Sequence, residues 1–396
     1  MPMKALGIQM AMDKGGLQMN GFGKFVRSKG FAALFFLLLL GANGFVYEEV
    51  RSACRHLGCH APGWWLLALM LGILALYEWM RLTPSASAVK KCALYGGGLY
   101  ISFFLYLVLS LLAFQILAAV AQWAAPWGAW DTVGFGCAVL TAAMIFLYGV
   151  INARLVKPVH YTVVTGNGAC KSRIVLLSDV HLGMYNGAKH LQKVVDAVNA
   201  AQPDLVVIAG DLFDGAQAGA YFDQEAAAAQ FCRIRAGSVV MATGNHDPAT
   251  TSAAFRSFLQ RAHIILLSDS GLELGDLVIF GRNDAISVRE PDCRRPLCKR
   301  IAGYANRHPL IVIDHNPQGI DEAVQCGADL VLCGHTHRGQ MFPVNLLTKW
   351  AYGAPRFGGH HSWGKTHAVI SAGCSVFQLP VRVGTSNEVV AIDLLY

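Results

Sequence analysis

Asp179-Val180-His181, Gly210-Asp211-Leu212-Phe213-Asp214, Gly244-Asn245-His246-Asp247, Asp314-His315-Asn316-Pro317 and Gly334-His335-Thr336-His337 are five polar clusters within residues 176–340. Each stands where an apolar run of strand length ends. Carboxylate, imidazole and amide oxygen in one set suit Mn, Fe or Zn better than the all-oxygen shells of Ca. A lone Asp after a strand is ordinarily a cap or turn residue, and a lone His is ordinarily a surface or satisfied core residue. Five clusters at successive strand ends point instead to one site for two metals. Asp179 and His181 stand two apart, so an extended backbone would turn both to one side, and His335 and His337 repeat that spacing. Asp211 is placed to bridge two ions, an arrangement suited to metals roughly 3.5–4 Å apart. Asn245 offers a neutral amide oxygen, which leaves His246 beside it for catalysis.

Between and beyond the clusters, strand and helix patterns alternate. Residues 174–177, 205–209, 238–243, 310–313 and 330–332 read as buried strands, while Leu191, Val194, Val195 and Val198 share one helical face. Helices are predicted at 224–235, 250–261 and 318–326, with a hairpin at 272–281. Late strands are predicted at 368–371 and 389–394, and an edge strand at 161–165. Continuous apolar strands alternating with helices predict an α/β core covered on both faces. In such folds the active residues gather past the carboxyl ends of strands.

At 396 residues the chain is too long for one typical domain. Hydrophobic residues make up 54% and charged residues 14%, and the apolar excess lies before Asn152. The plan is a cytoplasmic leader over 1–30, a four-helix transmembrane region over 31–152, a connector over 153–171 and a catalytic domain over 172–396. The spans are expected at 31–47, 63–80, 99–123 and 133–150. The first is read as an uncleaved anchor, because no small-x-small cleavage site follows it and its basic leader is long. Trp64-Trp65 opens the second span, and Trp123 and Trp127 close the third, as interfacial aromatics do. Asn43 and Gln115 inside the spans fit helix packing better than a transport path.

Lys and Arg concentrate in the leader, in the second loop and after the fourth span, while the first loop carries Arg51 and Arg55 beside Glu48 and Glu49 and the loop before Val133 has none. That alternation puts both termini, and with them the catalytic half, in the cytoplasm. The same retention accounts for the net charge of +7, and no basic run interleaved with aromatics argues for nucleic acid as a partner. Among eleven cysteines there is no zinc-type pair. Cys170, Cys232, Cys293, Cys298, Cys326, Cys333 and Cys374 are expected to be free thiols. A local Cys54–Cys59 disulfide is conceivable if that loop faces an oxidising space.

In order and spacing the clusters resemble the calcineurin-like metallophosphoesterases, whose pattern D-x-H, G-D-x-x-D, G-N-H-[DE], a later His and G-H-x-H is met at every element. The resemblance covers residues 172–396. It is strongest to the membrane-associated branch, whose last motif, GHTH-x-GQ, is matched by Gly334 through Gln340. Arg338 stands where many members have Gly. Pro380-Val381-Arg382 is similar to that branch, while Ser375-Val376-Phe377-Gln378 departs from its Gly-rich form. The resemblance implies a four-layer α/β/β/α sandwich and two divalent ions, with Mn, Fe and Zn as the choices. Asp179, His181 and His337 would hold one ion, Asn245, His315 and His335 the other, with Asp211 between them. It further implies attack on phosphorus by a hydroxide shared by the ions. His246 would stabilise charge or protonate the leaving oxygen, Asp247 would orient its ring, and Asp214 would support the ligands from outside. Arg338 is expected to meet a substrate phosphate, since guanidinium pairs bidentately with it.

The function expected is a membrane-bound phosphohydrolase acting on a phosphoester or pyrophosphate bond, with membrane lipids and a lipid-linked phosphorylated substrate as partners. The alternatives are a tethered phosphodiesterase for soluble substrates such as cyclic nucleotides, or a non-catalytic phospho-ligand sensor or transporter. The oligomeric state is open. Residues 341–352, mostly large and apolar, read either as a core segment or as one that dips into the bilayer interface.

Overall fold

A computed structural model describes residues 29–83, 87–124, 130–215, 218–284, 294–304 and 309–396. Most of the expected leader, Trp127, Cys293 and His308 lie outside the described residues. Contacts divide the chain into two compact units, one holding the helices through Ile151 and one holding Asn152–Phe377 and Arg382–Tyr396.

The first unit contains four long helices: α1 (Lys29–His56), α2 (Trp65–Leu82), α3 (Ala88–Ala124) and α4 (Trp130–Asn152). Each carries a segment long and apolar enough to cross a membrane: Ala33–His56, Trp65–Leu82, Ala88–Val120 and Val133–Asn152. Leu37, Leu38, Trp65, Ile116 and Leu147 are exposed, which suits side chains solvated by lipid rather than water. The third helix starts at Ala88, earlier than the apolar run alone suggested. Its glycine stretch stays helical because Gly97 lies against α2, where an added Cβ would come within 2.5 Å of the Tyr77 ring. Gln115 donates through Nε2 to Glu49 Oε1 at 2.9 Å, tying α3 to α1. Asn43 donates to the Leu39 carbonyl of its own helix. Both polar residues thus serve helix structure and packing.

The second unit opens with β1 (Val156–Val164), β2 (Lys171–Leu177), α5 (Ala188–Ala200), β3 (Leu205–Ala209), α6 (Gln224–Phe231), β4 (Ser238–Ala242) and α7 (Ala253–Arg261). It continues with β5 (Ile265–Leu266), β6 (Ser270–Leu274), β7 (Leu277–Gly281), α8 (Leu297–Ile301), β8 (Leu310–Ile313), α9 (Ile320–Gln325) and β9 (Leu330–Cys333). Last come α10 (Val344–Tyr352), α11 (Ala354–Phe357), β10 (Gly359–Trp363), β11 (Thr366–Ile370) and β12 (Asn387–Leu395). The strands form two six-stranded sheets, ordered β1-β12-β2-β3-β4-β5 and β10-β11-β9-β8-β7-β6. β2 through β5 run parallel in the first sheet, and β7, β8, β9 and β11 in the second.

Side-chain alternation builds the layers. In β2, Ile174 and Leu176 enter the core shared by the two sheets, together with Val207 of β3, Ile311 of β8 and Leu332 of β9. Val175 and Leu177 point the other way, onto Leu191, Val194, Val195 and Val198 of α5. The outer face of the second sheet packs on Leu297, Ile301, Ile320 and Ala323 of α8 and α9. The result is the expected four-layer α/β/β/α order, since each sheet is apolar on both faces.

Helix limits follow local bonding. Ser252 caps α7 by accepting from Phe255 N–H, so that helix starts after residue 250. Asn199 bonds the Arg233 carbonyl and the Arg235 N–H, which draws that stretch out of α6. The expected free thiols need one correction: Cys298 and Cys326 form a disulfide, with Cα atoms 5.0 Å apart, stapling α8 to the end of α9. Cys54 and Cys59 are free, and a main-chain bond from Cys59 N–H to Cys54 O closes that loop. Of residues 341–352, Met341 is buried in the core, while no residue of α10 is buried.

Candidate metal centre

Five parallel strands deliver the five clusters. β2 ends before Asp179, β3 before Asp211, β4 before Asn245, β8 before His315 and β9 before His335. Two of these strands belong to the second sheet and three to the first, so the centre assembles only when the sheets pack. The dihedrals correct the extended backbone expected for the D-x-H and H-x-H pairs. Asp179, His181, Asp211, His335 and His337 all have positive φ, between 44° and 71°. The strands have already ended, and the chain turns left-handed at the ligands themselves. Such conformations are costly for residues with a Cβ and concentrate at functional sites. Gly334 is forced by proximity: an added Cβ would overlap Ser178 Oγ and come within 2.5 Å of Asp179 Oδ2.

Among the described residues, two groups bring ligand atoms close enough to share an ion: Asp179, His181 and His337, and Asp211, His315 and His335. In the first, His337 Nε2 lies 3.3 Å from Asp179 Oδ1 and 3.1 Å from His181 Nε2. In the second, His315 Nε2 lies 3.1 Å from Asp211 Oδ2 and 3.2 Å from His335 Nδ1. Asp211 Oδ2 also stands 3.7 Å from His181 Nε2, between the two groups. Asp179 Oδ1 and both side-chain polar atoms of Asn245 are buried without a hydrogen-bond partner. Orphaned buried oxygens are costly in a protein that offers them nothing. A divalent ion on each group satisfies them, so the donor set fits two metals.

Electrostatics agree with that fit at three of the four histidines. Burial holds His181, His335 and His337 well below the ordinary imidazole range, which keeps them neutral as metal ligands must be. Burial alone would raise Asp211, but His315, His246 and His181 hold it well below the usual carboxylate value. Burial opposes charge on His315 as well, yet Asp211 raises it well above its ordinary value. Asp179 is raised, chiefly by burial. Desolvation also lifts Asp214 to about 6, and its Oδ1 lies 3.7 Å from His181 Nδ1.

The carboxylate of Asp247 meets main-chain N–H groups rather than an imidazole. Its Oδ2 accepts from Asp211 N–H at 2.9 Å and Gly244 N–H at 2.8 Å, and its Oδ1 accepts from Phe213 N–H at 3.0 Å. It therefore clamps the Gly210 and Gly244 loops together. His246 donates its main-chain N–H to Asp211 Oδ1 at 2.8 Å, and its ring meets Phe377 at 4.7 Å and His181 at 5.2 Å. Arg338 packs by Gly358 and Gly359, with Glu388 Oε2 3.9 Å from its guanidinium. His360 and His367 pair with each other at 3.0 Å on the β10–β11 hairpin.

Several residues escaped the sequence reading. Phe377 covers His181, His246 and His337, held by Gln340, whose side chain bonds both its N–H and its carbonyl. Arg382 is fully buried and donates to the carbonyls of Ala372, Ser375 and Ser386. One of its nitrogens lies 3.3 Å from His337 Nδ1, so it ties the last ligand to the loop after β11. Its place in Pro380-Val381-Arg382 was the one available signal.

Residues 172–339 match the family described as calcineurin-like phosphoesterase. A transmembrane protein with metallophosphoesterase domain from Danio rerio is 31% identical over 280 residues, 65% of this chain and 62% of the relative. Its counterpart from Bos taurus is 29% identical over 280 residues, 65% and 61%. An uncharacterized metallophosphoesterase of Helicobacter pylori is 28% identical over 228 residues, 56% and 60%. The chain thus spans about three-fifths of the length of these relatives.

Proposed function

We propose, from the premise that residues 172–339 form a calcineurin-like metallophosphoesterase domain, that the protein is a membrane-bound dimetal phosphohydrolase. Its substrate in this reading carries a phosphoester or pyrophosphate bond on a lipid. The observation that carries the chemistry is the pair of ligand groups with Asp211 between them and the orphaned Asn245 amide beside them. Asp179, His181 and His337 would hold one ion, and Asn245, His315 and His335 the other, with Asp211 reaching both. Two divalent ions there supply an activated water and neutralise charge on the phosphoryl oxygens. His246, half-buried at the edge of the groups, would pass a proton to the leaving oxygen. Phe377 over the imidazoles would exclude stray water, and Arg338 would orient the phosphate. With that chemistry supplied by bound ions, no Ser or Cys nucleophile would be required.

The catalytic half is proposed to face the cytoplasm, on the strength of the Lys and Arg distribution. The Cys298–Cys326 disulfide favours an oxidising compartment instead, so orientation is a point for direct measurement. The chemistry is tested with full-length protein in nanodiscs, stripped of metal and reloaded with Mn, against lipid phosphates, nucleotide-sugar lipids and cyclic nucleotides. Mn-dependent turnover of a lipid phosphate is expected. Absence of hydrolysis across the whole panel, with two ions bound per chain, would overturn the reading.

A further inference from the structure

Helix α10 begins shortly after the last two histidines of the centre and ends against one of them, for the Tyr352 ring lies 6.0 Å from the His335 ring. Its start is pinned by the bond from Phe342 N–H to Val383 O at 2.9 Å. Gly339 pins it too, since a Cβ there would overlap the Asn345 backbone. Between those ends, no residue of the helix is buried. Leu346, Leu347 and Trp350 are 56%, 47% and 64% exposed, and their spacing sets them on one face, which Phe342 extends at 45%. Lys349 stands among them at the rim. Each such side chain forgoes part of the stabilisation that burial would contribute. A rigid, centre-facing helix with that face outward needs an apolar phase to cover it.

The chain itself supplies that phase. Four of its helices can cross a bilayer, and only Ala153, Arg154 and Leu155 separate α4 from β1. Three residues reach roughly 10 Å even when extended, so the tether between the last apolar helix and β1 is short. Leucines facing inward, an indole at the boundary and a lysine reaching for phosphate are what an interfacial helix presents. We propose that α10 lies in the membrane interface and opens the metal centre toward the headgroup layer, so that the phosphoester is taken while its lipid stays in the bilayer. The proposal rests on the phosphoesterase reading above and adds how the substrate arrives.

Full-length protein with a photo-crosslinking residue at Leu347 is placed in nanodiscs containing labelled phosphatidylcholine, with Lys365 on the β10–β11 turn as the control position. A lipid adduct at position 347 and none at 365 is expected. An adduct with a second copy of the chain or with residues 1–28, or no lipid adduct, overturns the proposal. Independently, Leu346→Ser with Leu347→Ser should slow hydrolysis of a long-chain alkyl p-nitrophenyl phosphate in the bilayer by about tenfold, and soluble bis-p-nitrophenyl phosphate by less than about twofold. Equal losses on both substrates overturn it. If the unaltered protein hydrolyses neither substrate, the phosphoesterase reading fails, and the lipid adduct still reports α10 separately.

Discussion

Replacing Asp247 tests whether the centre is held by its loops or by its histidines. In Asp247→Ala, the N–H groups of Asp211, Phe213 and Gly244 lose their acceptor together. All three residues are buried, and an orphaned buried donor costs about 1–3 kcal/mol. The sum is roughly 3–9 kcal/mol, with the lower end applying where water enters the space left by the carboxylate. Asp247→Asn can keep one carbonyl oxygen against Asp211 and Gly244, and so should lose only the Phe213 share, about 1–3 kcal/mol. Hydrogen exchange read by mass spectrometry resolves this locally. Amides at 211, 213 and 244 should exchange roughly 10–100-fold faster in Asp247→Ala, while β12 stays protected. Bound metal should fall in parallel, because Asp211 hangs from the same clamp. Unchanged exchange at these amides in folded Asp247→Ala would refute the clamp. A shift in the pH profile of turnover, without loss of metal, would return Asp247 to the task of orienting His246.

Asp211→Asn is expected to lower metal content and remove most activity; active wild-type protein carrying less than one ion per chain would sink the two-metal centre. Reporter fusions after Pro158 should be active on the cytoplasmic side, and activity only on the external side would reverse the orientation and agree with an oxidised Cys298–Cys326 pair. Asp393 is held below the usual carboxylate range by its hydrogen bonds with Arg173 first, and by Lys171 and His160 beside it. Its folded value is depressed, so its contribution is present above the unfolded carboxylate value, about 4, and is lost as pH falls below it. Asp393→Asn should therefore lower the melting temperature at pH 7 and narrow the gap to wild type as the pH falls below 4; a gap that widens in acid would contradict the ion-pair account.

Residue type and local pattern carry the candidate ligand set and the order of elements. Apolar runs of strand length, each ending in Asp, Asn or His, are local facts: the residues that leave a strand are those that cannot be buried in it. Leu205–Ala209 and Leu310–Ile313 were legible to the residue for that reason, as was the buried face of α5. The four apolar spans were legible because lipid demands a long apolar run from one contiguous segment. Tertiary structure decided what depends on distant partners. At Asp179 the left-handed backbone meets Gly334 and His335, which β9 brings against it from the other sheet. The side chain of Asp247 answers to three main-chain N–H groups, two of them more than thirty residues away. The Cys298–Cys326 bond follows from the packing of α8 on α9, which no spacing of cysteines announces. The outward face of α10 is the same kind of result. An apolar segment of nine residues fits a core or an interface equally well, and only the fold around it leaves it uncovered.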